Sequence, residues 1–175
     1  MEAITSIESL TMELDRATKA ERPKIMSRLK LDKDEVAEYS SWCDTDYTRN
    51  CLARTDDYEL ILLCWDAAAQ TPIHDHNGQD CWVYQVDGHV KEIRFELDKK
   101  GNLQQTHQLE LNAGGLSYMH DRMGYHMIKN PFKQRAMTLH IYAKPIDACK
   151  VFDPKNDKFK VAEMEYDTIS SEVDL

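Results

Sequence analysis

The sequence predicts a mainly β protein, a sandwich or barrel of many short strands preceded by a helical N-terminal segment. Three observations predict it. From about Tyr47 onward, apolar residues recur at every second position in short runs. Those runs are punctuated by Asn77-Gly78, Asp87-Gly88, Lys100-Gly101-Asn102 and Gly114-Gly115, the residues that tight turns favour. Before Tyr47 the apolar spacing is helical instead.

In chain order, Ile4, Ile7, Leu10 and Leu14 stand three or four residues apart and form one stripe of a first helix. Pro23, tolerated in a first turn, opens a short second helix through Ile25, Met26 and Leu29. Asp32 followed by Glu35 has the form of a capping box and predicts a third helix. Strands follow. Residues 58–65 are almost continuously apolar, as a strand covered on both faces would be. Residues 81–86, 90–97 and 136–142 read as strands too. No linker, low-complexity stretch or internal repeat divides the chain. The expectation is one domain over residues 1–175, helical over about 1–40 and barrel-forming over about 45–167.

Composition removes whole classes of function. A formal net charge of -9 repels phosphate backbones and anionic lipid, so neither nucleic acid nor membrane is expected as a partner. No apolar run is long enough to cross a bilayer, and residues 1–8 lack the pattern of a secretory signal. A soluble, cytoplasmic monomer is expected. Cys43, Cys51, Cys64, Cys81 and Cys149 are odd in number and form no CxxC pair, so reduced thiols are expected. Cys64 and Cys149 read as small buried apolar residues.

The chemistry concentrates in histidines. His74 and His76 are one residue apart, so on a strand both imidazoles face the same side. A strand beginning near Cys81 is expected to fold back over them after Asn77-Gly78. An HxH pair alone more often marks a solvated strand face. What changes this is the spacing of the whole set. His74, His76, position 81 and Gly88 match HxHx4[E]x6G, the first motif of metal cupins, with Cys81 in place of the glutamate. Gly115, His126 and Asn130 match the ends of the second motif, Gx10Hx3N, while Asp121 and Met123 replace its internal proline and glycine. The joint match predicts a cupin, a double-stranded β-helix or jelly-roll barrel with N-terminal helices, whose metal is held by His74, His76 and His126. With no carboxylate ligand, the ion keeps its full positive charge and favours a thiolate partner. Three histidines suit catalytic zinc as well as iron.

The chain resembles the cysteine dioxygenases, thiol-oxidising members of the cupin superfamily. The resemblance runs from about Asp44 to Asp153 and is carried by Tyr47-Thr48-Arg49-Asn50, Leu62-Leu63-Cys64-Trp65, Ile73-His74-Asp75-His76, Cys81, Gly124-Tyr125-His126 and Leu139-His140-Ile141-Tyr142. It implies Fe(2+) on the three histidines and conversion of free L-cysteine and O2 to cysteine sulfinic acid. It implies that Arg49, beside Tyr47, anchors the substrate carboxylate, as a bidentate guanidinium can. Thr138, His140 and Tyr142 alternate along one strand and so share a face. The resemblance makes Tyr142, Cys81 and His140 catalytic, with Thr138 supporting them where many relatives have serine. It further implies a thioether cross-link between Cys81 and Tyr142. Trp65 reads as core. Where relatives carry Ser-Pro-Pro with a cis proline, this chain has Ala143-Lys144-Pro145, and a cis bond before Lys144 would cost about 2.5–4 kcal/mol. The alternatives are a dioxygenase for 3-mercaptopropionate or another small thiol, a zinc hydrolase or lyase, and a binding protein without activity. Arg49 and Cys81 favour cysteine.

Overall fold

The computed structural model describes residues 2–171 and 173; Met1, Glu172, Asp174 and Leu175, the ends of the expected 1–175 span, lie outside the described residues. Two α-helices come first, α1 (Ile7–Arg16) and α2 (Arg22–Met26). Ser6 caps α1: its hydroxyl accepts the Ser9 amide at 3.1 Å, and the Ser9 hydroxyl accepts the Ser6 amide at 3.3 Å. Ile7, Leu10 and Leu14 are buried as the stripe requires. Ile4 and Leu29 lie outside the helices and pair with each other as a parallel β-bridge.

The third helix does not form at Asp32. Asp32 Oδ1 accepts the amides of Asp34 and Glu35, which makes a turn, and the only helical residues there are the 3-10 turn Ala37–Tyr39. Glu35 does not reach back to complete the box. Its carboxylate accepts the Ile7 amide at 2.9 Å, serving the open N-terminus of α1 instead.

Eleven strands follow among the described residues. They are β1 (Tyr47–Arg54), β2 (Glu59–Trp65), β3 (Cys81–Asp87), β4 (His89–Leu97), β5 (Leu103–Asn112), β6 (Leu116–Met119), β7 (Tyr125–Lys129), β8 (Ala136–Tyr142), β9 (Ala148–Asp153), β10 (Lys158–Glu163) and β11 (Thr168–Ile169). Six form one sheet in the order β11-β1-β2-β8-β3-β6. Three form a second sheet, β5-β4-β7, and β10 pairs with β9. Only the β1–β11 pairing is parallel among these named strand pairs.

The six-stranded sheet is covered on both faces, which explains the unbroken burial of β2 and β8. On one face Leu60, Leu62, Tyr84, Met137, Leu139 and Ile141 pack against the helices. On the other, Ile61, Leu63, Val83 and Tyr142 pack with Val90 of β4, Ile128 of β7 and Val151 of β9. Each fully buried aliphatic side chain contributes roughly 1.5–3 kcal/mol relative to exposure. The polar residues of β8 lie on this second face, so the site lies between the two β layers.

Two glycines allow this arrangement. Gly88 has φ +67° between β3 and β4, and a Cβ there would sit 2.7 Å from the Arg135 carbonyl oxygen. Gly124 has φ +91°, and a Cβ there would collide with the Phe95 carbonyl oxygen, so only glycine lets β7 start against β4. No peptide bond among the described residues is cis, including those of Ala143-Lys144-Pro145.

Candidate active site

The HxH segment is not a strand. Residues 72–80 are irregular, and only His74 makes ladder contacts, with His126 of β7 and Val151 of β9. Pro72 supplies no amide, and Asn77 and Gly78 both take positive φ, so too few consecutive residues stay extended. Nor does β3 fold back over the pair; it lies between β8 and β6. The segment is instead pinned by carboxylates. Asp121 accepts the His76 amide at 2.7 Å and the Gly78 amide, and Asp75 accepts the Lys150 amide at 2.8 Å.

This irregular path still brings the three histidines together. His74 and His126 exchange both backbone hydrogen bonds, at 2.9 and 3.0 Å, so two of the three histidines are mutual backbone partners. Ring centroids lie 5.4 Å apart for His74 and His76, and 4.6 Å apart for each of them with His126. One ring nitrogen from each of the three lies within 4.8 Å of the others. His76 and His126 are buried, and His74 is half-buried.

Their outer contacts differ. His74 Nδ1 lies 2.9 Å from the Pro72 carbonyl oxygen, which fixes that nitrogen as the donor and frees Nε2. His126 Nδ1 lies 3.0 Å from Glu92 Oε1. His76 Nδ1 and Nε2, and His126 Nε2, are buried without a partner among the described residues. Buried polar atoms left this way are costly, and a metal at the centre would satisfy one on each ring. Burial, then the neighbouring His126, pushes the His74 imidazole down to about 3 and that of His76 well below the usual range. Both rings are thereby held in the neutral form that ligates. The residues fit a metal.

Around them stand the other predicted residues. Thr138, His140 and Tyr142 share the inner face of β8, while Met137, Leu139 and Ile141 pack on the helix side. Thr138 Oγ1 lies 3.0 Å from His140 Nε2, and the Trp65 indole donates to the same hydroxyl oxygen at 2.8 Å. The Thr138 hydroxyl therefore links the Trp65 indole to the His140 ring. Trp65, expected only as core, is fully buried and anchors that hydroxyl. The Tyr142 ring is 5.8 Å from that of His76. Cys81 of β3 is the cross-strand partner of Tyr142, so their side chains are neighbours on one face. Burial pushes both the Cys81 thiol and the Tyr142 phenol well up, so both are protonated.

Arg49 approaches from β1. Its Nε donates to the Glu165 carbonyl at 3.0 Å, and one terminal nitrogen is buried without a partner among the described residues. Burial disfavours its charge, but Tyr142, Tyr47 and Glu59 outweigh that. Tyr47 lies with its ring centroid 5.0 Å from that of Trp65. Cys64 and Cys149 are buried thiols, as expected, and the five cysteines are free.

Two features escape a reading of the sequence. One is Glu92, fully buried on β4; its in-phase placement with buried Val90 and with Arg94 is the available signal. Burial raises its carboxyl, but the interaction with His126, the Ser117 hydroxyl and the charge of Arg94 hold it at about 2. The other is the segment Met164–Asp167, which straps across β1 through the Arg49 side chain and through the Asp167 carboxylate on the Arg49 amide at 2.8 Å.

A barrel of two packed β layers with three convergent histidines between them defines a metal-site cupin. Solved structures agree on the fold. A Thermus thermophilus protein superposes with a TM-score of 0.52 at 16% identity, over 63% of this chain and 95% of that one. A Klebsiella pneumoniae protein with a double-stranded β-helix domain gives 0.51 at 16% identity, over 74% and 95%. The family model described as cysteine dioxygenase type I matches residues 4–155. The chain belongs to that family. It is 30% identical over 145 residues to cysteine dioxygenase type 1 of Homo sapiens, covering 81% of this chain and 72% of the relative. For the Rattus norvegicus protein of that name the identity is 31% over 125 residues, covering 69% and 62%. No helix among the described residues is long and apolar enough to cross a membrane.

Proposed function

We propose that the protein is a cytoplasmic, monomeric cysteine dioxygenase that converts free L-cysteine and dioxygen to cysteine sulfinic acid, both oxygen atoms ending on sulfur. The observation that carries this is the meeting of His74, His76 and His126 within 4.8 Å, with ring nitrogens of His76 and His126 buried and unpartnered. Family membership supports the choice of reaction. When bound there, Fe(2+) supplies redox chemistry and open positions for a thiol and dioxygen.

The chain's own residues bind, orient and donate protons. Arg49 lacks one hydrogen bond at a buried nitrogen, and a substrate carboxylate would satisfy it. Fixing that end of the substrate holds the thiol at the histidine cluster in one orientation. Tyr47 lines the same region. Tyr142, neutral and buried beside His76, presents a phenol as hydrogen-bond donor to oxygen that develops on sulfur. Thr138 and His140 hold the strand face that positions it.

Metal analysis with oxygen uptake on cysteine, 3-mercaptopropionate and cysteamine tests the reading. Expected are near-stoichiometric iron and the highest kcat/KM for cysteine. Preference for 3-mercaptopropionate would move the substrate assignment. Activity with zinc and no iron would end the dioxygenase reading.

The cross-strand placement of Cys81 opposite Tyr142 supports a thioether between them. Its formation joins Sγ to a ring carbon and loses the S–H and ring C–H hydrogens to dioxygen as oxidant. The bond would remove a rotor and preorganise the phenol. After turnover with iron and cysteine, the intact chain is expected to be lighter by two hydrogens, and Cys81→Ala to show no such loss. Cys81→Ala should slow the enzyme without abolishing it, and Tyr142→Phe should harm it more. A mass unchanged after prolonged turnover refutes the cross-link alone.

A further inference from the structure

We infer that Glu92 serves as the carboxylate of this three-histidine site, set one hydrogen bond behind the metal, as a positioning residue for the His126 ligand. Glu92 and Arg94 sit in phase on β4, and Arg94 is the register partner of His126 on β7, so all three side chains share a face. Glu92 Oε1 accepts from His126 Nδ1 and from Arg94 Nε, each at 3.0 Å. Its other oxygen accepts from the Ser117 hydroxyl. Arg94 in turn donates to Ser117 Oγ at 3.0 Å and to the Tyr118 carbonyl at 2.9 Å. The carboxylate is thus held at both oxygens, in full burial, by groups from β4, β6 and β7.

An ionised carboxylate only accepts hydrogen bonds, so the proton between the pair belongs to His126 Nδ1. That fixes the tautomer and aims the bare, buried, unpartnered Nε2 at the position shared with His74 and His76. The three ligands are therefore unequal. His74 is held by a neutral carbonyl, and neither nitrogen of His76 has a partner among the described residues. Only His126 is backed by a charge. This sets a carboxylate behind the site, where Cys81, standing at the usual glutamate position, supplies none within it. A carboxylate behind an imidazole makes it a stronger donor and favours the more positive state of the ion it binds. An ion pair serving the fold alone would need Arg94 and Ser117 but not His126.

The inference rests on the proposed metal site, and the test separates the two. Dissociation constants for Co(II), and anaerobically for Fe(II), would be measured by chelator competition on the full chain and on Glu92→Gln. Thermal melting of the metal-free forms would be recorded beside them. The Glu92→Gln change keeps the side chain's shape and an acceptor oxygen but removes the charge. The expected result is affinity weaker by about ten- to hundredfold, beyond any change in the metal-free melt, with displaced Co(II) absorption bands. Affinity within about threefold of the parent, measured against that range, overturns the role of Glu92 and leaves the three-histidine site standing. A parent protein that binds neither ion overturns both. Should Glu92→Gln fail to fold, the zinc-loaded parent labelled with 15N-histidine decides. His126 should carry its proton on Nδ1, far downfield and slow to exchange; a bare Nδ1, or one exchanging as fast as an exposed imidazole, overturns the inference.

Discussion

His74→Ala is expected to abolish both metal retention and cysteine oxidation while leaving a folded protein. The reason lies in what the residue touches. Its side chain is half-buried and its outer partner is only the Pro72 carbonyl, so truncation strands no buried charge. The backbone bonds between His74 and His126 do not involve the side chain and survive. What is lost is one of three donors. If an apparent affinity of about 10–16 kcal/mol, typical of structural zinc, were shared among three ligands, each would carry roughly 3–5 kcal/mol. That corresponds to about two to four decades in dissociation constant. Iron content after gel filtration and oxygen uptake should fall together. His76→Ala and His126→Ala should do the same, although His126→Ala also leaves Glu92 buried without that partner and should melt lower. Parent-level iron and activity in His74→Ala would remove the ligand assignment.

Arg49→Ala is expected to act on binding. A lost charge-assisted contact to a buried group costs about 1.5–3 kcal/mol. In kcat/KM for cysteine this is about ten- to more than a hundredfold, carried chiefly by KM. The strap persists in part, because the Asp167 carboxylate holds the residue's amide and not its side chain. Arg49→Lys should recover little, since an ammonium cannot bond Glu165 through Nε and still present a planar fork to a carboxylate. Cysteamine, which has no carboxylate, should be a poor substrate of the parent and should lose little in the variant. Equal rates on cysteine and cysteamine in the parent would show that Arg49 does not read the carboxylate.

The parts legible in the sequence are those with a local period or a fixed spacing. Alternation places Thr138, His140 and Tyr142 on one face of β8 and the apolar residues on the other. Motif spacing finds all three histidines although the HxH segment is irregular, because the spacing reflects where the chain must return and not its local conformation. The third helix fails where a local pattern meets a stronger distant demand, Glu35 being taken by the start of α1, 28 positions earlier. Glu92 and the Arg49 strap are invisible for a related reason. Their decisive bonds span 34 and 116 positions, and the alternation of Val90, Glu92 and Arg94 shows only a shared strand face, not the partner. Trp65 reads as apolar bulk because nothing in a strand of leucines indicates where an indole N–H will point.

The position of β8 in its sheet has a consequence for how the protein loosens. This strand has a full neighbour on each side, β2 and β3, and is buried along its whole length. Its amides should be among the last to exchange with solvent. Outside β1, by contrast, lies β11, two residues long and exposed. The protein is therefore unequal in local stability, with a rigid end that carries Tyr142 and His140 and a looser margin that carries Arg49. Warming or mild denaturant should blur the grip on a carboxylate first, while the phenol and imidazole keep their places until the fold itself gives way.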